Sequence, residues 1–328
     1  MTTLPTQTLT IRGGTEQVRA RPATEADWPA IVAMHCTSPD MPWPRPPEQI
    51  TPEERSEYGG AWMSLETLRP HYAVYVEGGS PILVAEDAGG RIVANLDLWL
   101  AHEPEPVGRN AFVEIVQEHA EYVGSGLENA MLDYAAEVAR ALGYPALDGS
   151  FGIGGLSDDY AAKRAMGFRI WDEHDRIEVG CAPGPAVQFK EVPATRTAVQ
   201  GLVVLGRWAP TEYVWLLGRD DEQGHRLEVE VGGACCLIQG ADAVRYRGAS
   251  EPGQALDVTF YVPPDLYQLW HEKESPLVSE LFRVYGAYGA AKAFRTFQAW
   301  IPCAVAAGLS GVDLRSAEYA GTCLRMRL

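Results

Sequence analysis

Two acids, Glu114 and Glu118, stand in a strand-like run that leads to Gly124-Ser125-Gly126 and then to a long amphipathic segment. Residues of even separation share one face of a strand. Both carboxylates would then be offered to the same side, where such groups can take up protons. From Leu127 onward the apolar residues Leu127, Ala130, Met131, Tyr134, Ala135, Val138 and Leu142 recur at steps of three and four. That period predicts a helix with one buried stripe, with Glu128, Asp133, Glu137 and Arg140 on the other side. Residues 124–126 would lie at its entrance, where unpaired main-chain N–H groups and the positive end of the dipole favour an anion. Small side chains let a phosphate approach that backbone closely. The same glycines would equally serve only to turn the chain.

Other chemistries find less support. The histidines at 35, 71, 102, 119, 174, 225 and 271 show no metal-ligand spacing, so no metal site is expected. Cys36, Cys181, Cys235, Cys236, Cys303 and Cys323 contain no C-x-x-C pair and read as structural thiols. Gly149-Ser150-Phe151-Gly152-Ile153-Gly154-Gly155 follows a strand, but Ser157 stands where the third glycine of a dinucleotide fingerprint belongs. It reads as a flexible loop.

With 328 residues, 46% hydrophobic and 22% charged, the chain is long enough for two ordinary globular domains. Its net charge of −17 argues against nucleic acid or an anionic membrane surface as partner, and suits cationic or neutral small substrates. The opening MTTLPTQTLTIRGG lacks the basic start and apolar core of a signal peptide. The longest apolar run, Ile301 to Leu309, contains Pro302 and falls well short of the ~20 residues that span a bilayer. A cytoplasmic location is expected.

The elements that must position these residues follow from local pattern. Gln17–Arg21 alternates as a strand, and Thr24-Glu25-Ala26-Asp27 caps a helix carrying Trp28, Ile31, Val32 and His35. Residues 37–50 form a proline-dense loop, and Thr51-Pro52-Glu53-Glu54 restarts a helix. Strands are expected at His71–Val76, at Ile82–Glu86 and Arg91–Trp99 joined by a tight turn, and at Ala111–Gln117. Beyond the amphipathic helix come a strand near Ala146–Asp148, a helix from Ser157 to about Ala165, and a strand at Arg176–Val179.

This order resembles the GNAT-type N-acetyltransferase family over roughly residues 16–180. VRARPATEADWPAIVAMH, ILVAEDAGGRIVANLDL, YVGSGLENAMLDYAAEVARALGYPAL and AAKRAMGF carry the resemblance, the third looking like the acyl-CoA pyrophosphate loop with its helix. It implies an α/β fold of α+β type, a mixed and mostly antiparallel sheet flanked by helices, with acetyl-CoA as acyl donor. Val123, Gly124, Ser125, Gly126 and Leu127 would form the pyrophosphate loop, and an N–H at Val116 on the preceding strand would polarise the thioester carbonyl. Glu114 or Glu118, or a water ordered by one of them, would take the proton of the acceptor amine. Tyr160 would protonate the departing thiolate. Three positions depart from the family pattern: Val123 replaces a basic residue, Glu128 replaces a small one, and Lys163 stands where the tyrosine belongs, with Tyr160 one turn earlier.

Residues 1–182 would form this domain, and Cys181-Ala182-Pro183-Gly184-Pro185 a linker to a second domain at 186–328. There, Arg226–Ile238 and Leu256–Val262 are strand-rich, and helices are expected at Leu266–His271 and from Pro276. An internal echo aligns Gly308 and Asp313 with Gly143 and Asp148, and Arg283–Gly289 with the glycine loop, Tyr288 blocking it. The second domain is thus a degenerate GNAT-like copy or an unrelated α+β domain, in either case with a structural role, walling off the acceptor side. Aromatic residues at 267, 270, 282, 285, 288, 294, 297 and 300 are read as its core. A tandem chain supplies its own paired surface, so monomer and homodimer both remain open. Three functions follow: an N-acyltransferase for a small-molecule or peptide amine, a non-catalytic acyl-CoA binder, or a structural or interaction protein.

Overall fold

A hairpin starts the sheet: β1 (Gln7–Ile11) turns back onto β2 (Glu16–Pro22). The computed structural model describes residues 4–37, 60–151, 158–184, 187–206, 209–217, 225–242, 255–271 and 276–328. The Thr24 N–H donates to the Asp27 carboxylate at 2.7 Å, the expected cap, and α1 (Trp28–His35) follows. The rest of the proline-dense stretch, from 38 on, and the 51–54 helix lie outside the described residues. Next is α2 (Leu65–Glu77), where the sequence pattern suggested a strand at 71–76. The Ser64 hydroxyl accepts from the Thr67 N–H, and Leu68, Tyr72 and Tyr75 form one buried stripe at helical spacing. Val76 is 64% exposed while Tyr72 and Tyr75 are buried, so burial follows helical spacing and not the alternation of a strand.

Strands β3 (Ile82–Glu86), β4 (Ile92–His102) and β5 (Arg109–Glu118) continue the sheet antiparallel. Helix α3 (Leu127–Ala141) then crosses to β6 (Ala146–Phe151), which lies parallel to β5. Helix α4 (Asp158–Ala165) leads to β7 (Arg169–Gly180), a strand that begins seven residues before the expected Arg176–Val179.

The second half contributes β8 (Lys190–Glu191), β9 (Val203–Val204), α5 (Thr211–Leu217), β10 (His225–Val231), β11 (Ala234–Asp242) and β12 (Ala255–Val262). After α6 (Pro264–His271) and α7 (Pro276–Ala291) come β13 (Thr296–Pro302), α8 (Cys303–Ala306) and β14 (Leu314–Arg327). Among the described residues all strands join one sheet, in the order β1-β2-β3-β4-β5-β6-β14-β7-β13-β12-β11-β10-β8, with β9 on β12. Only β5/β6 and β12/β13 are parallel. The last strand, β14, returns to lie between β6 and β7, and its Leu324 and Met326 enter the core packed under α3. Its Arg325 makes a two-pronged ion pair with the fully buried Asp148 of β6, at 2.8 and 2.7 Å.

The internal echo is realigned. Arg283–Gly289 lies inside α7, and Gly308 follows α8, so neither matches the glycine loop or its helix. A Cβ on Gly289 would come within 2.5 Å of Cys181 Sγ. Its small size serves close packing of α7, and a turn is not involved. The unit that parallels β4-β5-α3-β6 is β11-β12-α6-α7-β13: an antiparallel pair, a helical connection with α6 added, then a parallel strand.

Three core clusters result. One fills the α3 side of the first half, and one the second half, where Tyr267, Phe282, Tyr285 and Phe297 are fully buried. The third combines α1 and α2 with Val204, Tyr213, Trp215 and Tyr261 of the second half. No described helix is long and apolar enough to cross a membrane.

Candidate active site

Strands β5 and β6 are hydrogen-bonded for three residues only, Ala111–Val113 against Leu147–Gly149. Beyond Val113 they part, and β5 runs on to Glu118 paired with β4 alone. Glu114 is therefore the first residue of a fork. It is also a bulge: Leu98 faces Val113 and Asp97 faces Ile115, leaving Glu114 as the extra residue. A bulge resets the alternation of side chains, so the expectation that Glu114 and Glu118 share a face is overturned. Glu114 turns to α2, where the Tyr75 hydroxyl and His71 Nε2 (3.2 Å) meet its Oε2. Glu118, opposite Ala94, lies towards α3.

The α2 side of the fork holds a polar cluster within an otherwise apolar core. Asp97 is fully buried and accepts from Trp62 Nε1 at 2.7 Å, from the Tyr72 hydroxyl at 3.0 Å and from Asn95 Nδ2 at 3.0 Å. Behind it, His35 Nε2 donates to Asn95 Oδ1 at 2.7 Å. Burial first, and then the Glu114 carboxylate, push Asp97 up to about 7. Burial opposes a charge on His71, but the attraction of Glu114 prevails and raises it. Ligand-type atoms of His71, Asp97 and Glu114 lie within 4.8 Å of one another. Their separation in sequence is what hid this group from a search for metal-ligand spacing.

On the α3 side the glycine loop takes the expected place. Gly126 caps the helix in the left-handed conformation (φ 86°), with open space at its Cα and at that of Gly124. Several loop donors are already engaged. Ser125 N–H donates to the Tyr122 carbonyl at 2.9 Å and Leu127 N–H to the Ser125 hydroxyl at 3.2 Å. The Gly124 and Glu128 N–H groups serve the Glu118 carboxylate, offsetting part of the upward push from burial and from Glu128. Val123 is exposed, Leu127 is fully buried, and Val116 packs against the α3-side core.

Two of the three unusual positions, Lys163 and Glu128, prove to be coupled. Lys163, fully buried, reaches from α4 to the α3 N-terminus, pairing with Glu128 and donating to Asn129 Oδ1 at 3.3 Å. Tyr160, one turn earlier on α4, is half-buried against the α3-side core. Two cations near the loop come from distant turns: Arg12 and Arg91 both lie over the Tyr122 ring, at 5.3 and 5.9 Å from its centre. Arg12 also donates from its backbone to the Ser125 carbonyl at 2.8 Å. Gly152–Gly155 lie outside the described residues.

No protein-family model matches the sequence, and no curated protein matches it. Solved structures do. A GCN5-related N-acetyltransferase from Kribbella flavida superposes with a TM-score of 0.60 at 14% identity, covering 95% of this chain and 71% of that one. A GCN5-related N-acetyltransferase from Anabaena variabilis gives 0.57 at 9% identity, covering 94% and 72%. A conserved protein of Enterococcus faecalis, described as a probable N-acyltransferase, gives 0.56 at 8% identity, covering 94% and 71%.

Proposed function

Because the chain has the GCN5-related N-acetyltransferase fold over nearly its whole length, we propose that it is an N-acyltransferase, with acetyl-CoA as donor and a primary amine of a small molecule or peptide as acceptor. The observation that carries this reading is the fork. Where β5 leaves β6, an edge of backbone opens between the glycine loop on one side and Glu114 on the other. A thioester laid in the fork would have its carbonyl beside strand N–H groups, that of Val116 among them, and its pyrophosphate at residues 124–127. Arg12 and Arg91 stand near the loop but are already paired, with Glu16 and with Asp87 and Glu121, so main-chain N–H groups rather than a free cation would hold the anion. Glu114 is the base in this reading, since it stands at the fork, while Glu118 belongs to the loop. Lys163, paired with Glu128, compensates for the acid in the first turn of α3. The thiolate would take its proton from Tyr160 or from solvent.

In this reading the second half has a structural role, and the chain acts in the cytoplasm on a small amine without nucleic acid or membrane. The test is calorimetric titration with acetyl-CoA, followed by assay of thiol release with an amine panel. Micromolar binding lost in Gly126→Trp, with unchanged circular dichroism, supports the donor site. Absence of binding at millimolar acetyl-CoA would end the enzyme reading.

A further inference from the structure

The cluster on the α2 side of the fork has more negative charge than its described neighbours neutralise. With Asp97 and Glu114 ionised and His71 protonated, one negative charge is left over. Among the described residues, no lysine or arginine pairs with either carboxylate. A buried uncompensated charge is costly, and the cheapest remedy in an empty site is to retain a proton. Three of the four carboxylate oxygens are already committed: Asp97 Oδ1 to Tyr72 and Asn95, Asp97 Oδ2 to Trp62, and Glu114 Oε2 to Tyr75 and His71. Glu114 Oε1 alone has no hydrogen-bond partner among the described residues.

That pattern discriminates between cations. A divalent metal needs several free lone pairs in one place, and here fixed N–H and O–H donors occupy them. An organic ammonium brings its own donors and needs one free oxygen, negative potential and aromatic walls. One wall is present: Trp62, partly exposed, packs edge-on to His71 at 4.9 Å, while Tyr72 and Tyr75, fully buried and 6.1 Å apart, back the cluster from the core.

We propose that Asp97, His71 and Glu114 form a proton-for-ammonium exchange site, which selects a cationic primary amine as acceptor and releases a proton when its ammonium docks on Glu114 Oε1. This rests on the N-acyltransferase reading of the same fork. The transfer balances as follows. One ammonium proton passes to Glu114 and on to water. The freed nitrogen lone pair forms the C–N bond at the thioester carbon, the C–S bond breaks, and the thiolate gains the second proton that nitrogen loses. Asp97 and His71 are positioning residues, acting through Glu114. The groups facing Asp97 are Glu114 from β5, His71, Tyr72 and Tyr75 from α2, Trp62 from the preceding turn, and His35 of α1 through Asn95.

The experiment is calorimetry with phenethylamine, and with phenethyl alcohol as the uncharged control, from pH 6 to 8.5 in two buffers of different ionisation heat. The amine should bind at least tenfold tighter than the alcohol, tighten as pH rises through 7, and give buffer-dependent heat that reports proton release. Asp97→Asn should remove the proton release and cost about tenfold in amine affinity, leaving acetyl-CoA binding unchanged. His71→Gln, a second route should the Asn variant misfold, should move the pH midpoint upward, because His71 no longer offsets Glu114 at Asp97. Proton release that persists in Asp97→Asn, or displacement of the amine by stoichiometric zinc or manganese, overturns the inference. Amine binding as described without acetyl-CoA binding would sink the transferase reading and leave the exchange site standing. Acetyl transfer indifferent to Asp97 would do the reverse.

Discussion

The two forks of this sheet differ in three respects. In the first half, β5 and β6 part after Val113 and the next residue, Glu114, is bulged. In the second, β12 and β13 part after Val258 in the same way, but the next residue is Thr259 and the β11–β12 register is unbroken. The second fork is also filled. Strand β9 pairs with Tyr261 and Val262, Leu205 N–H donates to the Phe260 carbonyl at 2.8 Å, and Gly206 lies hard against the Trp300 backbone. Val203 and Leu205 join one core and Val204 the other. A fork of similar strand order is thus open in one half and packed shut in the other. The difference lies in one bulge and four inserted residues, not in the strand order. Residues 272–275, ahead of α7, lie outside the described set.

The sharpest way to break this comparison is at the two divergence points. Glu114→Gln should lower kcat by roughly 10²- to 10⁴-fold, the usual worth of a positioned base. Thr259→Val should leave turnover within about twofold. Comparable losses in both variants, or in neither, would mean that the open fork is not where chemistry happens.

Next in size is Gly206→Ala. A Cβ there would lie 1.9 Å from the Trp300 carbonyl oxygen, at a φ of +63°. Overpacking and left-handed strain together should cost about 3 kcal/mol or more, read from urea unfolding. The matching change in the first half, Gly124→Ala, meets open space and carries only the conformational cost of about 1 kcal/mol. Equal costs would show that the second fork is not packed shut.

The regions that were legible in sequence are those where one period dominates. The α3 stripe, the β3–β4 hairpin and the Thr24–Asp27 cap each rest on a local pattern, and each is present. What was not legible depends on pairing. The Glu114 bulge is a property of register between two strands, so counting along β5 alone placed both acids on one face. His35, Trp62, His71, Asn95, Asp97 and Glu114 form a cluster only because α1, α2, β4 and β5 converge. The 71–76 error has a different cause: tyrosine and valine suit strands, but burial followed helical spacing. The filling of the second fork by β9 leaves no mark in that segment's own pattern.

The two halves should respond alike to acid, which tests whether they unfold together. Burial brings His35 down to about 4, against a hydrogen bond to Asn95, and burial and Lys292 bring His225 down to about 4. A depressed histidine favours the neutral folded form. Its contribution is complete above the unfolded value of 6.5 and is lost as pH falls through 4. Each residue should therefore remove roughly 3 kcal/mol between those limits. In a single cooperative transition the slope should approach two protons, and His35→Gln or His225→Gln should each reduce it by one. Removal of either histidine without change in slope would place the acid sensitivity elsewhere.

The smallest expected effect concerns the first fork alone and separates its two acids. Glu118 draws on the Gly124 and Glu128 N–H groups, which a pyrophosphate at the loop would also need, and its Oε2 is buried without a hydrogen-bond partner. Burial and then Glu128 push its carboxyl upward, so the empty site already disfavours the charge there. If Glu118 were a base, Glu118→Gln would slow transfer and leave donor affinity alone. As a stand-in for the phosphate it should do the opposite. Removing one like charge beside the ligand should tighten acetyl-CoA binding roughly tenfold, about 1.4 kcal/mol, most clearly at high pH, where Glu118 is most often charged. Lys163 remains paired with Glu128 in this variant, so the first turn of α3 stays neutralised and the change isolates Glu118. Titration at pH 8 reads the difference: Glu118→Gln should bind acetyl-CoA more tightly than wild type, and equal or weaker binding would return Glu118 to the role of a base.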